Sequence, residues 1–68
     1  MCLLKVYLES ERGRELIAQE VALISNKNGK IRLQGIDLKD IMVVDNADIK
    51  MIDTLSSSLI LRKVILWS

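Results

Sequence analysis

The sequence has no histidine, no proline and no phenylalanine, and its only cysteine is Cys2. Without histidine there is no imidazole to act as a base, so the Ser56-Ser57-Ser58 run has no activating partner and reads as a connection. A single cysteine rules out a disulfide within the chain. It also makes Cys2 the one thiolate metal ligand and strong nucleophile present. Aromatic residues are 3% of a chain that is 50% hydrophobic, so the core must be built from Leu, Ile and Val. The two rings, Tyr7 and Trp67, lie at opposite ends of the chain, which leaves no platform for stacking bases.

Charge of one sign is lacking too. Ten basic and nine acidic residues are interspersed for a net charge of +1, which is no electrostatic footprint for nucleic acid or an anionic membrane. No basic n-region leads into an apolar h-region, so no signal peptide is expected. The longest greasy stretch, residues 59–67, is interrupted by Arg62-Lys63 and is too short to span a bilayer. These features predict a cytoplasmic protein without membrane attachment. The 68 residues predict one domain, 1–68, with no second core. A chain this short buries only about 60% of its unfolded surface and commonly leans on a metal, a disulfide or a partner. A homodimer with two-fold symmetry is the expected supplement.

What is present is alternation. Cys2, Leu4, Val6 and Leu8 share one parity and Leu3, Lys5, Tyr7 and Glu9 the other, predicting a strand over 2–8 with Cys2 on its inward face. Ser10 to Arg14, containing Gly13, predicts a polar turn. Glu15 to Ile24 is ambiguous between a helical stripe (Leu16, Ile17, Val21, Leu23, Ile24) and strand alternation. It is read as a short strand near 14–17, a helical turn, and a strand from Val21. Asn26-Lys27-Asn28-Gly29-Lys30 signals a hairpin. Burying like with like favours a three-residue loop pairing Leu23 with Leu33; a two-residue Asn28-Gly29 loop would set Leu23 opposite Gln34. The returning strand, 30–36, turns Ile31 and Leu33 inward and Lys30, Arg32 and Gln34 outward. Ile41-Met42-Val43-Val44 is a continuous apolar run typical of a strand covered on both faces. Turns at 37–40 and 45–48, strands at 49–54 and 59–62, and a hydrophobic tail, 64–67, complete the pattern. The tail is expected to pack back on the domain or across a dimer. The sum is an all-β chain: a small SH3-like or Sm-like barrel, closed or half-open, of short antiparallel strands.

Taken together, Met1-Cys2 running into Leu4-Lys5-Val6-Tyr7-Leu8, the Gly13-Arg14 turn, the Asn28-Gly29-Lys30-Ile31-Arg32-Leu33 hairpin and the 49–60 strand pair resemble the CooT family. These are small nickel-binding proteins associated with maturation of carbon monoxide dehydrogenase. The resemblance spans residues 2 to about 62, and its specific element is the cysteine at position 2 heading an apolar strand. The extra tail from Val64 to Trp67 departs from it. What the resemblance implies is a non-enzymatic homodimer with Ni(II) at the dimer interface, held by Cys2 of each subunit. It also implies a nickel enzyme or its maturation factors as partners.

The chemistry of the amino terminus is compatible with that. With Met1 removed, the α-amine and thiolate of Cys2 close one five-membered chelate, and two such termini on a two-fold axis supply an N2S2 plane. With Met1 retained, its amine, the deprotonated Cys2 amide and the thiolate form two fused chelates. Both suit square-planar Ni(II) or Cu(II), while the thiolate also admits Cu(I) and Zn(II). An amine titrating near pH ~8 and a thiol near ~8.5 make such binding weaken in acid. Residue type alone gives the plainer reading that a lone cysteine at a strand head simply packs. Asp37, Asp40, Asp45, Asp48 and Asp53 lack calcium-loop spacing and read as turn formers. Lys27, Lys30 and Arg32 form a basic hairpin, the one feature pointing to the alternative, a small-barrel RNA-binding module.

Overall fold

Strands β1 (Leu4–Ser10), β2 (Gly13–Val21), β3 (Leu23–Lys27), β4 (Lys30–Gln34), β5 (Asp40–Val44), β6 (Ala47–Asp53) and β7 (Ser58–Lys63) make up a computed structural model that describes residues 3–64. They form two sheets, ordered β2-β1-β7-β6 and β3-β4-β5. The small all-β fold expected from the alternation is what the chain adopts. One pair departs from the antiparallel expectation: β1 and β7 run parallel, with Val6 beside Leu59 and Leu8 beside Leu61.

The ambiguous segment is a strand throughout, and its register explains the helical look. Between Leu4↔Val21 and Val6↔Ala18, and again between Val6↔Ala18 and Tyr7↔Leu16, β2 carries one residue more than β1. Two β-bulges thus stretch the inward spacing, so Ala18 and Val21 are both buried three residues apart, as on a helix. Glu20 takes φ 55 within this irregular stretch. No helical turn forms. The bulged strand bends at Ala22, whose N–H donates to the Gln34 carbonyl at 2.8 Å, and continues into the second sheet as β3.

The hairpin takes the shorter loop. Leu23 pairs with Gln34, Ile24 with Leu33 and Lys27 with Lys30, while Asn28 (φ 53) and Gly29 (φ 81) both adopt positive φ. That is the mark of a type I′ turn, whose twist matches the flanking strands. The like-with-like pair is Ile24 with buried Leu33, and Leu23 faces outward at 47% exposure. The three-residue loop fails because it assigned Leu23 to the core.

The core consists of Val6, Ala18, Val21, Ile31, Leu33, Val44, Ala47, Leu59 and Leu61, with Leu4, Leu8, Ile17 and Ile24 packed against it. The β1 parity therefore holds for Leu4, Val6 and Leu8, whereas Cys2 lies outside the described residues. Contrary to expectation, the 41–44 run is not covered on both faces. β5 pairs with β4 alone, and only Val44 of the run is buried. β6 likewise pairs with β7 alone, which leaves the barrel half-open along these two edges. Met42, Ile49 and Ile52 share faces with core residues Leu33, Leu61 and Leu59 yet remain partly exposed there. The β6 edge is guarded by Lys50 at a bulge, as edge strands often are. Its ammonium donates to Glu9 of β1, which also accepts from Arg14 Nε of β2 at 3.0 Å.

Three outcomes follow from this packing. Leu33→Ala empties a fully buried site and should cost about 2–5 kcal/mol in chemical denaturation. Gly29→Ala forces a side chain into positive φ and should cost about 1 kcal/mol, with no change in denaturant m-value. The hydrogen bonds from Lys50 and Arg14 hold the Glu9 carboxyl below its ordinary 4.5. Its stabilising effect is therefore present above that pH and lost as the pH falls through the lowered value. Thermal melts of Glu9→Gln should accordingly lie below wild type at neutral pH and converge with it in acid.

Candidate metal centre at the amino-terminal end

The register fixes which residues share each end of the barrel. β1 begins beside the end of β2 (Leu4↔Val21) and the start of β7 (Lys5↔Ser58), and the Lys5 N–H donates to the Ser57 carbonyl at 3.0 Å. Ala22 joins this end to Gln34, and Gln34 pairs with Asp40. The start of β1, the Ala22 bend and the connections at 35–39 and 54–57 therefore lie at one end. The opposite end holds the β1–β2 turn, the Asn28-Gly29 turn, Asp45-Asn46 and Val64, with Ala47 N–H donating to Gly29 O and Val64 N–H to Asn46 O. Sequence reasoning left the tail's position open. Residues 65–68 lie outside the described residues, but Val64 leaves from the end away from Leu3.

Two connections at the amino-terminal end present apolar side chains to solvent. Asp53 Oδ1 accepts from the N–H groups of Leu55 (3.0 Å) and Ser56 (3.2 Å), and the Ser56 and Leu55 hydrogen bonds hold its carboxyl below the usual range. The resulting turn carries Ser57 at φ 53 and holds Leu55 98% exposed. In the other connection, Gly35 N–H donates to Lys39 O, Leu38 N–H to Gly35 O, and Lys39 N–H to Asp37 Oδ1. Gln34 Nε2 reaches Leu38 O at 3.0 Å. This network fixes Leu38 at φ 65, a conformation uncommon for a leucine, with Leu38 and Ile36 both more than 60% exposed. Sequence patterning misses these three residues: Ile36 reads as the end of the strand 30–36, which stops at Gln34, and Leu38 and Leu55 are isolated apolar residues between polar ones.

Donor chemistry concentrates on the cysteine. Among the described residues, no group of three or more Cys, Asp or Glu side chains is placed to hold a metal ion. The aspartates act structurally instead. Asp37 and Asp53 cap turns, Asp40 lies 3.8 Å from Arg32, and Asp48 lies 3.6 Å from Arg62. Ser58 is buried and Ser56 Oγ donates to it; Ser56 and Ser57 lie in a connection as expected, whereas Ser58 opens β7. Cys2, one residue ahead of Leu3 in the chain, lies outside the described residues and is the only thiol available.

Comparison with known proteins now bears on this end. A family model described as CO dehydrogenase accessory protein CooT matches residues 1–62. Among solved structures, a protein assigned as CooT from Carboxydothermus hydrogenoformans superposes with a TM-score of 0.77 at 18% identity, covering 91% of this chain and 97% of that one. At that identity the likeness speaks for the fold. No functionally curated protein matches the chain. The family match covers all seven strands and the amino terminus ahead of β1, leaving out only the last strand residue and the tail. The chain belongs to the CooT family of CO dehydrogenase accessory proteins.

Proposed function

We propose that this protein is a cytoplasmic, non-enzymatic, homodimeric accessory protein that binds Ni(II) through Cys2 of each subunit for the maturation of carbon monoxide dehydrogenase. The observation that carries this reading is the setting of the chain start. β1 begins at the barrel end where Ile36, Leu38 and Leu55 are exposed, so a second copy seated there covers apolar surface and brings two amino termini together. The family match, which includes position 2, supports the client.

The donor set fits the ion. With Met1 removed, one Cys2 thiolate and one amine are two donors, and two subunits offer the four that square-planar Ni(II) accepts. The protein's part is to hold the two termini on a common axis and shield the thiolates. Both donors must lose protons, so capture is favoured at neutral and higher pH and release in acid. In this reading the barrel is a scaffold, and the turns at 35–39 and 54–57 form the rim around the metal. No helix among the described residues is long and apolar enough to cross a membrane. RNA binding gains no comparable support, since Tyr7 is the only aromatic residue among those described.

Native mass spectrometry during Ni(II) titration tests the reading. Wild type should take up one nickel per dimer with thiolate-to-metal charge-transfer absorption, and Cys2→Ser should fold normally and take up none. Equal uptake by that variant would sink the proposal. Leu55→Asp alters a side chain that is 98% exposed, so the subunit fold should change by less than about 0.5 kcal/mol. The same substitution should shift the protein toward monomer and weaken nickel uptake in parallel.

A further inference from the structure

We infer that the outer face of the β3–β4 hairpin is a docking surface for an acidic, extended segment of a partner protein. The cross-strand pairs Ser25↔Arg32 and Lys27↔Lys30 place these four side chains together, on the face opposite buried Ile31 and Leu33. With Val43, paired to Arg32 on β5, they line a shallow depression.

Charge is segregated here. Residues 21–36 contain three cations and no carboxylate, whereas the rest of the chain holds seven basic and nine acidic residues. The near-neutral total hides a cationic face on an otherwise net-acidic protein. Among the described residues neither Lys27 nor Lys30 has a carboxylate in ion-pair range, and Arg32 has only Asp40 at 3.8 Å. Like charges directly opposite on a sheet destabilise it. The turn needs only Asn28 and Gly29, so nothing in the fold calls for the Lys27–Lys30 pair.

An external anion would satisfy what the fold leaves unpaired. Arg32 suits a carboxylate, and the lysines provide positive potential beside it. The exposed apolar residues Ile41 and Val43 on the adjoining edge strand favour a polypeptide that alternates acidic and apolar side chains. Nucleic acid fits less well, because no aromatic residue among those described lies on this face to stack a base. The surface is built from the second sheet and is separate from the turns that form the rim at the chain start. The inference therefore stands without the nickel reading.

Heteronuclear NMR titration of the full chain with an eight-residue peptide alternating Glu and Val tests it, with oligouridine RNA in parallel. At low salt the peptide should shift the amides of Ser25, Lys27, Lys30 and Arg32. Its affinity should fall about tenfold in the Lys27→Gln/Lys30→Gln/Arg32→Gln variant and stay unchanged in Arg12→Gln, which alters a cation in a different depression. Shifts confined to other residues, or equal loss in Arg12→Gln, would overturn the proposal. Tighter binding of oligouridine to the same residues would overturn the choice of a protein partner. Mapping on wild type decides the location even if the triple variant folds poorly.

Discussion

The fold depends on one bent strand serving two sheets. β2 pairs with β1 in the first sheet, passes Ala22, and becomes β3 in the second. The bulges in β2 supply the bend, and the Ala22 hydrogen bond to Gln34 keeps the switch point satisfied. Because the sheets are joined this way, Val21 at the bend belongs to one buried core with Val6 and Leu61 from one sheet and Ile31 and Leu33 from the other. A straight, regular β2 would leave each sheet with an uncovered apolar face. In a chain without phenylalanine, small aliphatic side chains must interdigitate closely, and the bend brings the faces near enough to do so.

That bend also assigns the two ends of the barrel their character. Strand direction places the start of β1 and two connections bearing exposed apolar residues at one end, and the tight turns, Val64 and several charged side chains at the other. Glu9 links β1 to β2 and β6 through Arg14 and Lys50, so the first sheet is tied by charge on its solvent side as well as by its core. Among the described residues the second sheet has only the long Arg32–Asp40 ion pair, and its Lys27 and Lys30 have no carboxylate in ion-pair range. The protein therefore carries two distinct unsatisfied surfaces, an apolar rim and a cationic face. Apolar rims favour self-association and cationic faces favour acidic partners, so both can be engaged at once. In the proposed reading, that division lets metal binding and partner contact proceed on different surfaces.

Much of the fold was legible as alternation. The inward Leu4, Val6 and Leu8 of β1, the inward pair Ile31 and Leu33, the presence of a hairpin at 26–30 and the position of β7 all follow from period-2 patterning and turn chemistry, which act over a few residues, although the length of the hairpin loop was misread. The misreadings share a cause. The 14–24 segment looked partly helical because bulges lengthen the inward spacing. The 41–44 run looked doubly covered because an apolar edge strand of an open barrel has the same composition as a buried one. Leu23 looked inward because hydrophobicity alone does not report which face a register selects. Of the candidate site, the cysteine was evident as the sole thiol, whereas the exposed apolar residues at the barrel end where β1 starts were not.

By itself the sequence determined the chemistry available: a single soft donor next to the amino terminus, no imidazole, too few rings to stack bases, and a strand-forming aliphatic core. Family membership was also visible in it, since motif and hydrophobic order are local properties of the chain. Only the tertiary structure decided that Ile36, Leu38 and Leu55 stand at the end where the chain begins, and that Lys27, Lys30 and Arg32 share one face. Those groupings arise from strand direction and register. Both are set when separate segments bury a common core, so no local stretch of sequence encodes them.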